Sequence, residues 1–543
     1  MADVRRRGEH EDWSEADVSP IDGTAEIDRR GFLSAATLAV LGIAASYPAF
    51  APGSALAVLR ELTSAPTWRP LSTLTTVSVA ANASAKGYPS LAPGTAFDTH
   101  PAVKLLDSAL KGLSGGSAVE AVQAAVSTGG TVLIKPNWVE PGTWSKGKIT
   151  HPTLVLAAAR IAAEAVGPTG KVLIGEGTSE GKDLPKVLSA TTFMSALHSF
   201  GLDAATSTRA KVTVVDLNVA STGSVVVKLH ARSRFASVHD KLYDASDRVV
   251  GKMGDSHVGV YHIARPIVDA DLIIDFAKSK VHCSAGATLA LKNFLGIVPT
   301  GHDPSGGYRL KTVPHYSSAD VHGHSKYVLN RTIGRTSADL HAAALYAASD
   351  GSLQSTRQRK LLCIIDGVVS GSKTQFSPQK ISTGWIAAGY DPVAVDHVAT
   401  RCMGFDPVLM KSIQPAKSGT LKLGTGNPGD VRMIYSGSGA FTGYFTSKRA
   451  LKAESVVAHW GKAISLKKWS IKAPVVTLTG SHVVVKPSTS GLTVRLYSGS
   501  DYVNLARASN GTYSADIPPT VTGPVRVVVM DTHFNAWEHV VRP

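Results

Sequence analysis

The sequence predicts an α/β protein with an open, mostly parallel sheet and flanking helices, followed by a small all-β domain of immunoglobulin-like sandwich type. Three observations carry this expectation. Near-continuous apolar runs recur at Thr131–Ile134, Lys171–Ile174, Lys211–Val215, Asp271–Phe276 and Leu361–Ile365, as buried parallel strands require. Helical stretches lie between them, the clearest being Ala-rich Pro152–Val166 with proline at the first helical position. Past about residue 435 the pattern becomes short strands divided by turn signals such as Asn510-Gly511 and Pro518-Pro519. Five strands are expected there: Val475–Leu478, His482–Val485, Leu492–Tyr497, Tyr513–Ile517 and Val525–Met530.

The chain has 543 residues, too many for one ordinary domain. It divides into a leader (1–57), a spacer rich in Ser, Thr, Ala and Pro (58–95), the α/β domain (96–435), a linker (436–473) and the β domain (474–543). Apolar residues at 43% and charged residues at 18% exclude wholesale disorder. Three dispersed cysteines, Cys283, Cys363 and Cys402, exclude a self-contained iron–sulfur cluster and a disulfide scaffold. Cys283 follows His282, but neighbours in a strand point to opposite sides, so a buried thiol is expected rather than a Cys/His nucleophile pair.

The leader reads as an export signal. Arg29-Arg30-Gly-Phe-Leu precedes an uncharged, small-residue apolar stretch from Phe32 to about Ala51, then an A-x-A-like site at Ala55–Ala57. The arginine pair resembles a twin-arginine (Tat) signal. Asp28 and Ser34 depart from the usual flanking residues. The Tat machinery is then a partner, and the protein is expected outside the cytoplasm: extracellular, wall-associated or periplasmic. No other segment has the 18 uninterrupted apolar residues of a membrane span, so none is expected in the mature chain. The net charge is +15 overall, and −4 over residues 1–57, so the remainder stands at about +19. Such a surface favours anionic partners, whether small molecules or wall polymers. No basic run interleaved with aromatics supports nucleic-acid binding.

In open α/β sheets ligands bind beyond the carboxyl ends of the strands. There the chain delivers Lys135 and Asn137, then Glu176 in a Gly-rich turn, then Lys278, Lys280 and His282 in alternation, and Asp366. Gly286–Thr288 opens a stretch, Leu289–Phe294, read as a helix carrying Lys292 and Asn293. Thr288 and Lys292 would share its face, and its N-terminus would bind an anion. Asp391 fits a helix N-cap before Pro392, and Asp396 follows one turn on. His315, His322 and His324, near His302, Asp303 and Asp320, can offer imidazoles to a metal ion, although their spacing fits no standard metal signature.

Taken in order, these segments resemble the DUF362 family, a domain of unknown function. The motifs are Ile134–Asn137, His151-Pro152, Gly175–Gly177, Lys278–His282, Ala290–Gly296, Ile365–Gly367, Asp391–Asp396 and Met403–Pro407, spanning about residues 130–410. The resemblance implies Lys135, Asn137, Lys280, His282, Lys292, Asn293, Asp366, Asp391 and Asp396 as site positions, and no established reaction. Some relatives add a ferredoxin-like cysteine module that this sequence lacks. Two functions remain open. In the first, an exported enzyme acts on a carboxylated or phosphorylated substrate. Lys135, Lys278, Lys280 and Lys292 would hold the anion, with Asn137, Glu176, Thr288 and Asn293. His282, Asp366 or Asp396 would move a proton, with or without a metal. In the second, a non-catalytic wall- or ligand-binding protein is retained by its basic surface and β domain.

Overall fold

The computed structural model describes residues 67–543 except segments 142–146, 180–181, 219–222, 236–240, 244–248, 253–258, 283–284, 302–309, 312–316, 319–330, 373–377, 438–471 and 533–535. The leader with Arg29 and Arg30, Cys283, and the metal candidates His315, His322 and His324 lie outside the described residues.

Along the chain the strands are β1 (Arg69–Pro70), β2 (Thr75–Ala81), β3 (Thr131–Pro136), β4 (Lys171–Glu176), β5 (Val212–Asp216), β6 (Ser224–Lys228), β7 (Lys241–Tyr243), β8 (Val249–Lys252), β9 (Val260–Ala264), β10 (Leu272–His282), β11 (Gly286–Thr288), β12 (Ser317–Ser318), β13 (Lys360–Ser372), β14 (Gln379–Gly389) and β15 (Val431–Gly437). The central sheet has the order β15-β2-β14-β13-β10-β3-β4-β5, with β11 folded back on β10. Strands β5, β4, β3, β10 and β13 are parallel, as are β15 and β2. Strand β14 runs against both β13 and β2. The sheet is therefore mixed and mostly parallel.

Alternation along each strand sends successive side chains to opposite faces. Val132, Ile134, Ile274 and Phe276 pack on one face with the helices Pro101–Ser114 and Pro152–Val166. Leu133, Ile273, Ala277 and Ile365 pack on the other with Arg331–Tyr346 and Pro392–Cys402. The Pro152–Val166 helix begins where expected, with His151 accepting from the Thr153 N–H at 3.3 Å, and ends at Gly167 with φ 68°. Its buried Leu154, Val155 and Leu156 fasten it to the sheet, at about 0.8 kcal/mol per buried methylene.

Residues 58–95, expected as a spacer, supply β2, which sits inside the sheet between β15 and β14. The stretch Gly286–Thr288, expected to open a helix, is instead β11, antiparallel to β10 with Lys280 opposite Thr288. Gly286 at φ 89° permits the reversal, and β-branched Thr288 suits a strand. The helix itself is one turn, Ala290–Asn293, continued as a 3-10 turn to Ile297. Thr288 and Lys292 thus share no helix face.

The C-terminal region holds β16 (Val475–Thr479), β17 (His482–Lys486), β18 (Thr493–Ser498), β19 (Asp501–Leu505), β20 (Tyr513–Asp516), β21 (Val525–Met530) and β22 (Ala536–Val541). They form two antiparallel sheets, β16-β17-β20 and β1-β19-β18-β21-β22. Val483, Val485, Leu496, Val503 and Val527 fill the core between them. The outer face of the larger sheet joins the body, because Tyr497, Tyr502, Val528 and Met530 belong to the same apolar cluster as the Arg331–Tyr346 helix. Buried Arg495 lies over the rings of Tyr497 (5.5 Å) and Tyr502 (4.7 Å) and donates to the Val431 carbonyl.

Candidate functional site

Parallel pairing brings the carboxyl ends of β3, β4, β10 and β13 to one rim. Asp275 is level with Lys135, and Lys278 with Asp366. The side chains there sort by what neutralises them.

Lys135 Nζ is 2.6 Å from Glu176 Oε1 and donates to the Pro136 carbonyl. Glu176 Oε2 accepts from the Trp138 N–H at 2.6 Å. Both side chains of this pair are 1% exposed. Gly296 leaves room for the pair: a Cβ there would lie 2.5 Å from Glu176 Oε1 and 2.7 Å from Lys135 Nζ. Glu176 is therefore a lysine partner in this structure.

Asp366, fully buried, accepts from four donors: Lys278 Nζ at 2.7 Å, Tyr88 Oη at 2.7 Å, and the N–H groups of His151 and Val368 at 3.0 and 3.2 Å. Lys278 Nζ also donates to Tyr88 Oη. The Tyr88 ring stacks on His151 at 3.6 Å. Burial raises the Tyr88 hydroxyl well above its ordinary range, and the Asp366 charge adds to this. Burial holds His151 well below its ordinary value, helped by the Lys278 and His100 charges. Lys278 is lowered by burial, against the opposing pull of Asp366.

Asn137 and Asn293 lock the loop after β3 to the short helix. Asn137 Nδ2 donates to Asn293 Oδ1 at 2.8 Å, and Asn293 Nδ2 donates to Asp275 Oδ1 at 2.6 Å. Desolvation pushes the Asp275 carboxyl well up. Asp396 Oδ1 and Oδ2 accept from the N–H groups of Ala290 and Leu291 at 2.8 and 3.1 Å. The helix end expected to bind an outside anion therefore carries an internal carboxylate. Burial pushes Asp396 up to about 7. Asp391 caps the Pro392–Cys402 helix, as its spacing predicts, through the N–H groups of Val393 and Ala394.

Lys280 is different. It is 3% exposed. Its Nζ donates to the Lys148 carbonyl at 2.6 Å, and no described carboxylate forms an ion pair with it. Burial lowers its pKa well below the ordinary lysine value, and the charges of Lys292, Lys148 and Lys278 push the same way, with Glu176 opposing. Lys292 and His282 are half-buried. His282 Nδ1 accepts from the Ala285 N–H at 3.3 Å. Lys148 pairs with Glu140. Across the hairpin the buried Thr288 hydroxyl has no hydrogen-bond partner among the described residues.

The rim thus gathers Lys135, Glu176, Lys278, Lys280, Lys292 and Asp366. Asn137, Asn293 and Asp396 serve as struts just beneath it. Sequence reasoning missed Tyr88, Lys148, His151 and Lys311. Lys311 Nζ reaches the Gly177 carbonyl and Asn218 Oδ1. The His-Pro step at a helix start signalled His151. Tyr88, Lys148 and Lys311 lie in irregular segments with no periodic signal. Among the described residues no three His, Cys, Asp or Glu side chains gather so as to hold a metal ion. No helix among them is long and apolar enough to cross a membrane. A groove of about 650 Å³ opens at the opposite ends of the strands, beside Gly130, Asp271, Lys360 and Tyr390, away from these groups.

A family model described as a domain of unknown function (DUF362) matches residues 132–246 and 209–401. The two matches together take in every rim residue named above except Tyr88. No curated protein and no solved structure matches the chain.

Proposed function

Starting from a chain that belongs to the DUF362 family and from a rim where lysines outnumber their carboxylates, we propose that the protein is an exported enzyme whose strand-end rim binds a carboxylated or phosphorylated molecule. The observation that carries the reading is Lys280. It is a buried lysine beside three other lysines, with a backbone carbonyl as its described partner. Burying a cation without a countercharge is costly, and a bound anion between Lys280, Lys292 and Lys148 would offset that cost. Lys135, Lys278 and Lys311 have internal acceptors that fix the walls, and Lys148 is itself paired with Glu140 at the edge of the cluster.

Proton transfer in this reading falls to His282, which is half-buried at the lip. Asp366 and Asp396 are saturated by internal donors. That saturation is also what favours the second reading, a non-catalytic protein that only binds the anion. The arrangement of sheets β16-β17-β20 and β19-β18-β21-β22 supports an immunoglobulin-like sandwich for the tail, which would serve retention at a wall polymer in either case.

The test is thermal unfolding of the full mature chain with phosphate, citrate or an uncharged sugar. The anions should stabilise it, by roughly 2.7 kcal/mol at a hundredfold excess over Kd, and the sugar should not. Lys292→Glu should abolish the effect. Stabilisation by neither anion, or an unaltered response in the variant, would sink the anion site. Recovery of every bound ligand chemically unchanged would favour the non-catalytic reading.

A further inference from the structure

We propose that Lys280 is a nucleophilic amine that forms an imine with a 2-oxo acid, the substrate carboxylate lying against Lys292 and Lys148 and the carbonyl oxygen against the Thr288 hydroxyl. This deepens the anion-binding reading above and rests on it.

Two independent features meet at this point of the hairpin. One is the state of the amine. Glu176 neutralises Lys135, and Asp366 neutralises Lys278, whereas Lys280 is flanked by cations and donates to a carbonyl. A lysine that is desolvated and crowded by like charge gives up its proton more readily than a free one, which favours the lone pair that attacks a carbonyl. The other feature is Thr288. It stands directly opposite Lys280 in the β10–β11 pairing, so the two side chains share a face with Cβ atoms about 5 Å apart. The Thr288 side chain is buried at 2% exposure, and its hydroxyl lacks a partner among the described residues. An unsatisfied buried hydroxyl is costly, and a carbonyl oxygen bound there would take up its proton.

The step balances without an oxidant or reductant. The Nζ lone pair bonds to the 2-oxo carbon, and the carbonyl π pair moves to oxygen, which takes a proton. Nitrogen then loses a proton, and the hydroxyl leaves as water once protonated. The products are one C=N bond and one water. The substrate's carboxylate does not react. It holds the carbonyl carbon within reach of Nζ.

The experiment incubates the full mature chain with pyruvate, and separately with 2-oxoglutarate, in the presence of cyanoborohydride, and maps adducts by peptide mass. A secondary amine on Lys280, suppressed by citrate, is the expected result. Lys280→Arg has no amine able to form an imine, so it should lose the adduct. Thr288→Val should slow trapping by about tenfold, the loss of one hydrogen bond. It also provides the readout if Lys280→Arg does not fold. Phosphate stabilisation with no adduct, or adducts spread evenly over surface lysines, would overturn the imine and leave the anion site standing. Absence of phosphate stabilisation would remove both.

Discussion

Asp396 carries a pH signature open to measurement. Burial holds its carboxyl at about 7, against 3.8 for a free aspartate. A carboxyl with a raised native pKa binds its proton more tightly when folded. Its stabilising contribution is complete below about pH 4 and is lost as pH rises through about 7. The full effect is on the order of 4 kcal/mol at most. His341 and His397 act in the opposite sense. Burial lowers them to about 3 and about 4, so each destabilises the fold as pH falls from about 6.5 toward those values. Asp396→Asn removes only the first contribution. Its unfolding free energy, from urea melts at stepped pH, should therefore climb more steeply between pH 4 and 7 than the wild type's. Parallel curves would refute the assignment. The position of Asp396 was legible in the sequence from the D-P-x-A-x-D spacing. Its job was not, because Ala290 and Leu291, whose N–H groups it accepts, lie more than a hundred residues away.

At the scale of elements, the 3-10 turn Phe294–Ile297 passes so close to β3 and β4 that Gly296 is the spacer between chain and ion pair. Gly296→Ala should push Lys135 from Glu176 or lift the turn, costing about 1–3 kcal/mol by overpacking. A urea midpoint unchanged from wild type would show that the turn yields freely. Legibility at this scale followed hydrophobicity. The strands β3, β4, β5, β10 and β13 declare themselves by near-continuous apolar runs. β2, with sequence TTVSVAA, hides behind small and hydroxyl side chains although Val77 and Val79 are fully buried. β14 begins as QKIST, with Gln379, Lys380 and Ser382 exposed, and becomes fully buried and apolar only halfway. The error at Gly286–Thr288 has a related cause, since three residues are too few to show a period of two.

The whole molecule bears on export. The proposal that residues 1–57 form a Tat-type signal predicts that R29K/R30K retains the precursor in the cytoplasm, as read by cell fractionation. Normal appearance of the variant outside the cytoplasm would reject the signal. The tail likewise reads differently as part of the whole. Five of its seven strands were visible as turn-punctuated runs, whereas β19, β22 and its dependence on the rest of the chain were not. Trp68 packs against its core, β1 lengthens its larger sheet, and Tyr497 and Met530 belong to the body's apolar cluster. A wall-retention assay therefore needs the complete chain.

The pairing of β1 with β19, and of β2 with β15, ties the earliest described residues to some of the latest. Such closure spans more than 350 positions of polypeptide, and contacts this distant along a chain form slowly. On the ribosome, β2 must wait for more than 350 further residues before β15 exists to pair with it. Until residue 389 is made β2 has neither of its sheet neighbours, and a nascent chain stalled between residues 389 and 431 would leave the edge that β15 covers open to whatever binds it first.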